Sequence, residues 1–367
     1  MRNVVWIPCL QSSGSASPCI DSSLPRQLLN LMTRHHKNER LLKLVESFSR
    51  VTVAVLGDLV ADEFVFGEIS RVSREAPVLI LKYRDRIIVP GGGANAIYNL
   101  ADLGVNVLPI GVVGDDDPGR ALIKAFRQKR VPVSGIVKLK NYPTVTKTRI
   151  LAGQTHSARQ QVVRIDREPD RALDAKTLRS LQVAARQYAR AADGFLISDY
   201  GYGAASPQMV QTLRTRNDLS GMTVTLDSRY RMLDFPGVTS ATPNESEVEA
   251  ALGITIGDDM DRLQAAGRAL LQKMRLESLL ITRGRDGMVS FAKGRQPVEI
   301  PIHGSDQVAD VTGAGDTVIA TLTAALAAGA DAEDAARLAN YAAGIVVMKR
   351  GTATASASEL RAALEHA

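Results

Sequence analysis

Residues 51–58, Val51-Thr52-Val53-Ala54-Val55-Leu56-Gly57-Asp58, are apolar almost without interruption and stop at a Gly-Asp pair. A continuous run of this kind suits a strand covered on both faces in a parallel sheet. Similar runs recur at Asn106–Val113, Gly194–Ile197, Met222–Leu226 and Ser278–Ile281, the last followed by a hairpin reaching Ile300. Between them the apolar positions fall at helical spacing. Helices are predicted over Asn38–Phe48, from Gly91-Gly92-Gly93 to Leu103, and over Pro118–Gln128, Lys176–Arg190, Ser206–Arg214, 245–252 and 260–273. Two more close the chain, Ala314–Ala328 and Ala332–Met348, the second with Asp331 as its N-cap. Strands alternating with helices in this way predict βαβ units and a mostly parallel sheet flanked by helices on both faces.

Two segments break the rhythm. Phe64–Gly67 with Val78–Tyr83, and Val145–Ala152 with Gln161–Asp166, alternate apolar and polar residues and read as hairpins. They are expected to form a small separate β-sheet, a lid drawn from about 62–90 and 143–168, over the carboxyl edge of the main sheet where such folds bind ligands. The chain thus divides into an N-terminal extension, 1–37, and an α/β domain, 38–367. Residues 1–31 are rich in Ser, contain Pro8, Pro18 and Pro25, and lack periodicity, which predicts disorder. Met32 is an alternative start, and the short apolar stretch broken by Pro8 is a poor match to a secretory signal.

Charge narrows the range of partners. The net charge is +6, and residues 1–50 hold seven basic residues against three acidic ones, so most of the excess lies in that segment. A nucleic-acid-binding face is not expected. The basic cluster from Arg120 to Arg130 reads as a solvated helix face rather than a polyanion site. Cys9 and Cys19 are the only cysteines, so the α/β domain has neither a disulfide framework nor a cysteine metal site. No apolar run is long enough to span a membrane, and a cytoplasmic location is expected.

Asp310-Val311-Thr312-Gly313-Ala314-Gly315-Asp316 carries the most chemistry. It opens an apolar helix, and the first amides of a helix lack partners where the macrodipole is positive. The amides of Gly313, Ala314 and Gly315 can then hold a phosphoryl group while Asp316 takes a proton from a hydroxyl. Taken alone, the same residues equally describe a turn and an N-cap. Thr242-Pro243-Asn244-Glu245-Ser246-Glu247 puts Asn244 and Glu247 three apart at a helix start. They are suited to a hydrated Mg²⁺, or to a capping box. Thr282, Gly284 and Gly287 form a tight strand-end turn with a donor hydroxyl. Gly91–Gly93 with Asn95 would admit a polyol close to the backbone. Asp58 at a strand end could accept sugar hydroxyls, and Asp199 is a further acidic strand end.

In this order, over about residues 50 to 362, these motifs resemble the PfkB-type (ribokinase-like) carbohydrate kinases. The Asp310–Asp316 run matches that family's C-terminal signature. Within the family, residues 70–78, 143–149 and 198–200 and Lys349-Arg350-Gly351-Thr352 are most similar to kinases of D-glycero-β-D-manno-heptose 7-phosphate. The resemblance implies transfer of the γ-phosphoryl of ATP to the anomeric hydroxyl of that sugar, on the route to ADP-heptose and lipopolysaccharide. It implies Asp316 as general base, Gly313, Ala314 and Gly315 as anion hole, and Asn244 and Glu247 organising Mg²⁺ through water. Asp58, Gly92, Gly93, Asn95 and Asp199 would serve the sugar. Thr282, Gly284 and Gly287 would line the nucleotide side, with Asn340 and Gly344 near adenine. Arg71, Lys147 and Arg149 on the lid would take the sugar phosphate. A homodimer is expected from exposed lid edges, and monovalent-cation activation is common in the family.

Two positions depart from the heptose kinases. Tyr202 stands where Lys often follows the Asp-Tyr-x element, and Asp227-Ser228-Arg229 replaces Asp-Pro-Lys. No His-x-Gly-His motif occurs, so any adenylyltransferase is expected as a separate chain. The rivals are a PfkB kinase for ribose, fructose or adenosine, and a non-catalytic sugar-phosphate-binding regulator on the same fold.

Overall fold

The computed structural model describes residues 38–153, 160–304 and 309–366. The leader, with Cys9 and Cys19, lies outside the described residues, and Arg40–Ala367 makes one compact unit. Its central sheet has nine strands in the order β13-β12-β11-β10-β9-β8-β1-β4-β5. These are β1 (Thr52–Gly57), β4 (Asn106–Gly114), β5 (Ile136–Leu139), β8 (Gly194–Asp199), β9 (Thr223–Ser228), β10 (Ser240–Ala241), β11 (Ser278–Thr282), β12 (Met288–Ala292) and β13 (Val298–Ile300). The seven from β5 to β11 are parallel, and β12 and β13 add an antiparallel edge.

Strand periodicity explains the two layers around this sheet. Val53 and Val55 of β1 enter one apolar core and Ala54 and Leu56 the other, since successive side chains point to opposite faces. Helices α1 (38–47), α2 (Gly93–Asp102), α3 (Asp117–Gln128), α8 (Ala314–Ala327), α9 (Ala332–Val347) and α10 (Ala357–Glu365) cover the first face. The second is covered by α4 (Ala175–Ala189), α5 (Pro207–Thr215), α6 (Glu245–Leu252) and α7 (Met260–Lys273). Among the described residues, no helix is long and apolar enough to cross a membrane.

The lid is a separate four-stranded sheet in the order β3-β2-β6-β7, with β6 (Thr146–Gly153) and β7 (Gln160–Arg167). Its first two strands correct the sequence reading. In place of two short strands, β2 (Leu59–Val72) and β3 (Leu79–Gly92) are 14 residues each. Their buried roots rise from the core and their outer halves stand in solvent, so the apolar pattern marks only part of their length. The strands β5 and β10 and the helix α10 were not predicted at all. The α10 helix has a full capping box, with Ser356 accepting from the Glu359 amide and Glu359 from the Ser356 amide.

Candidate active site

β1 ends at Gly57 and α8 begins at Gly313, and the site lies between these points beneath the root of the lid. Gly313 has φ of 80°, and a Cβ there would come within 2.6 Å of Asn95 Nδ2. Both facts require glycine. No side chain caps α8. The Ala314 amide donates back to Val311 O at 3.2 Å. That bond occupies the Ala314 amide expected in the anion hole, while the Gly315 and Asp316 amides belong to the first turn, whose N–H groups lack intrahelical partners. A Cβ on Gly315 would meet nothing within 4 Å, so the space before these amides is open, as a phosphoryl group needs.

Asp316, in the first turn of α8, is 5 % exposed. Tyr200 Oη donates to its Oδ1 at 2.7 Å and Asn95 Nδ2 to its Oδ2 at 2.9 Å. The amide of Asn95 is held in turn, because Asn99 Nδ2 donates to Asn95 Oδ1 at 3.1 Å and Thr317 Oγ1 to Asn99 Oδ1 at 2.9 Å. Asn95, expected to bind sugar, is therefore engaged with the Asp316 carboxylate. Burial raises the Asp316 pKa to about 7 against the lowering effect of those two hydrogen bonds. A carboxylate poised near neutrality suits general-base work.

Asp62 is the functional residue that the sequence reading passed over. It sits on β2 beside Gly91, whose absent side chain makes room for it: a Cβ there would lie 2.4 Å from Asp62 Oδ2. Its buried carboxylate accepts from Arg149 and, at 3.2 Å, from Thr352 Oγ1, and its charge raises the Asp316 pKa further. An acid four residues after Gly57-Asp58, on a strand leaving the sheet edge, was the available signal.

Asp58 has a different task from the expected one. Its oxygens accept from the amides of Tyr200, Tyr202 and Ala204, each at 2.9 Å, which pins the 200–204 loop and so Tyr200 itself. Burial still pushes its pKa up. Asp199 is likewise taken, by Ser228 Oγ at 2.7 Å and by the Arg231 guanidinium. Both acids support the site from behind. Gly92 and Gly93 pass over the end of β1, where a Cβ on Gly93 would meet Asp58 O at 2.9 Å.

The three expected lid bases separate. Arg149 is spent on Asp62 and lies over the Phe64 ring. Arg71 is exposed at the outer end of β2, nine residues along the strand from Asp62. Lys147 alone points at the chemistry. It is 9 % exposed, its Nζ is 5.3 Å from the centre of the Tyr200 ring, and it makes no hydrogen bond or ion pair among the described residues. Burial, then Arg229, lowers its pKa.

On the far side, Asn244 and Glu247 form the capping box of α6, each side chain accepting from the other's amide at 2.9 and 3.0 Å. Asp227, at the end of β9, has its pKa held well up by burial and then by the charges of Asp316 and Glu247. Thr282 ends β11 and pairs with Asn244, and Gly284 and Gly287 bound the next turn. On α9, Asn340 Nδ2 donates to Pro301 O at 2.8 Å and Gly344 lies against His303 O, so both are tied to the 301–303 segment. Among the described residues, no three His, Cys, Asp or Glu side chains converge into a metal cage. The donors present fit a magnesium ion that keeps its waters.

A buried carboxylate beside an uncapped helix N-terminus, under a lid, is an arrangement suited to phosphoryl transfer to an alcohol. The model of the pfkB family carbohydrate kinases matches residues 60–359. The chain belongs to that family, and it is a phosphotransferase with an alcohol acceptor. It is 39% identical over 323 residues to the bifunctional protein HldE of Pelobacter propionicus (87% of this chain, 65% of that one). It is also 39% identical over 311 residues to that of Geobacter sulfurreducens (84% and 62%). The chain thus spans slightly less than two thirds of these relatives' length. Arabidopsis thaliana ribokinase complexed with ribose and ATP superposes with a TM-score of 0.67 at 20% identity (86% of this chain, 99% of that one). Escherichia coli phosphofructokinase-2 in complex with substrates and products gives 0.69 at 16% (86% and 99%). The fold is ribokinase-like.

Proposed function

We propose that the protein phosphorylates the anomeric hydroxyl of D-glycero-β-D-manno-heptose 7-phosphate from Mg·ATP, in the cytoplasm, as a step towards ADP-heptose. The observation that carries an anionic acceptor is Lys147. A buried ammonium without a hydrogen bond or ion pair is costly, and an acceptor phosphate relieves that cost. The Tyr200 ring holds it within reach of the base. The similarity to the HldE proteins supports the heptose.

Magnesium–ATP, when bound, supplies the phosphoryl group and neutralises charge on it. Asn244 and Glu247 would hold the waters of the metal. Asp316 takes the hydroxyl proton, oriented by Asn95 and Tyr200. The Gly315 and Asp316 amides would hold the oxygens of the transferring group. The lid root closes over Asp62 and excludes water.

The test is Lys147→Met. Its KM for heptose 7-phosphate is expected to rise at least ~10-fold with kcat changed less, as for lost ground-state binding. An unchanged KM, or turnover of ribose or fructose in preference to the phosphorylated sugar, would overturn the heptose phosphate reading and leave the kinase intact.

A further inference from the structure

A groove of about 640 Å³ runs along the outer face of α3, lined by Gly119, Arg120, Ile123, Lys124, Arg127, Gln128 and Lys138. Arg120, Lys124 and Arg127 recur at helical spacing and form one stripe. Lys138 faces them from β5, the edge strand of the main sheet. Every charged residue lining the groove is a cation. Two are held from its end: Asp115 pairs with Lys138 at 2.7 Å and with Arg120 at 3.3 Å. Lys124 and Arg127 make no ion pair among the described residues. Like charges at this spacing repel, and no ion pair among the described residues offsets the pair. Ile123 gives the floor an apolar strip. A plain solvated helix face would be convex, and this one is concave and of small-molecule size.

The same helix is wired to the lid. Arg120 Nη2 donates to Asp117 Oδ1 at 2.6 Å, while the other oxygen of Asp117 lies 4.0 Å from Arg86 of β3. Arg86 donates to Glu63 of β2, which also accepts from Thr148 of β6. The N-cap of α3, Asp116, accepts from the amide and hydroxyl of Thr144, at 2.9 and 2.6 Å, at the root of the strand that carries Lys147. An anion that draws Arg120 into the groove frees Asp117 for Arg86 and so shifts charge onto the lid root.

We infer that this groove is an effector site for a small ligand bearing closely spaced phosphates, coupled through Asp117 and Arg86 to acceptor binding under the lid. Guanidinium and ammonium groups on an apolar floor suit such a ligand. The site rests on no assumption about the sugar, only on the kinase having an acceptor.

The probe is inorganic pyrophosphate, measured by equilibrium dialysis on the full chain with the donor site saturated by a non-hydrolysable ATP analogue. One equivalent is expected to bind still, weakening with salt, and to be lost in Lys124→Glu/Arg127→Glu, which keeps the wild-type kcat without pyrophosphate. Pyrophosphate is also expected to change the acceptor KM of the wild type at least ~3-fold and to leave that of the double variant unchanged. The acceptor is whichever sugar the wild type turns over. No binding beyond the donor site, or binding that the double variant retains, would overturn the site. Binding without any change in KM would overturn the coupling to the lid.

Discussion

At the scale of single residues, the chemistry proposed for the site turns on the Asp316 carboxylate, with its pKa near 7. The rate should fall as pH drops through that value, because the protonated acid cannot accept the hydroxyl proton. Tyr200→Phe removes a hydrogen bond that favours the charged form. It should therefore move the acid limb of the kcat profile to higher pH, with activity largely recovered at alkaline pH. A limb that stays in place would deny Tyr200 this role. Stability gives an independent check. The Asp316 pKa in the fold lies above its unfolded value, so the fold binds more protons, and stability is lost as pH rises between the two. Asp316→Asn removes that loss. Its melting temperature relative to wild type should be higher at pH 8 than at pH 5.5, by scanning calorimetry. At this scale the sequence exposed Asp316 through its Gly-Ala-Gly-Asp setting. It misassigned Asp58, Asn95 and Asp199, whose oxygens and amides are consumed by the 200–204 loop, by the base and by Arg231. Which lone pairs remain free is set by tertiary packing, and a motif does not show it. Asp62 was hidden for the same reason, since its charge comes to act on Asp316 only in the folded chain.

At the scale of elements, α8 depends on its first turn. Gly313→Ala would place a methyl in the left-handed region and against the Asn95 amide. The backbone term alone costs roughly 1–2 kcal/mol. The displaced Asn95 should also lower kcat at least ~10-fold, visible as a joint drop in melting temperature and turnover. Wild-type turnover in that variant would contradict the orienting role of Asn95. The buried elements were legible because burial on one or both faces leaves a period in the sequence. Helices α6 and α7 fall at the predicted residues, 245–252 and 260–273. The lid was legible as an exception to the pattern and not in its dimensions. The polar stretches Ser70-Arg71 and Arg84-Asp85-Arg86 interrupt the alternation, so the sequence marks only part of each long strand. Edge strand β5 and two-residue β10 are too short to leave one.

At the scale of the whole molecule, the lid presents an apolar surface exposed among the described residues. Val72, Val78, Leu79, Tyr83, Val163 and Ile165 are all exposed on it, and β7 leaves one edge of the sheet open. We propose that a second copy covers it, lid against lid. Sedimentation should show a dimer, and Val163→Lys/Ile165→Lys should shift it to monomer. A wild-type monomer at micromolar concentration would refute this.

The central claim, a sugar-phosphate kinase with Asp316 as its base, meets its most direct test in ADP release with Mg·ATP over heptose 7-phosphate, fructose 6-phosphate, ribose, fructose and adenosine. Turnover confined to heptose 7-phosphate, falling at least ~10²-fold in Asp316→Asn with acceptor affinity retained, is the predicted result. Near-normal turnover in Asp316→Asn, or none in the wild type with any acceptor, would contradict it.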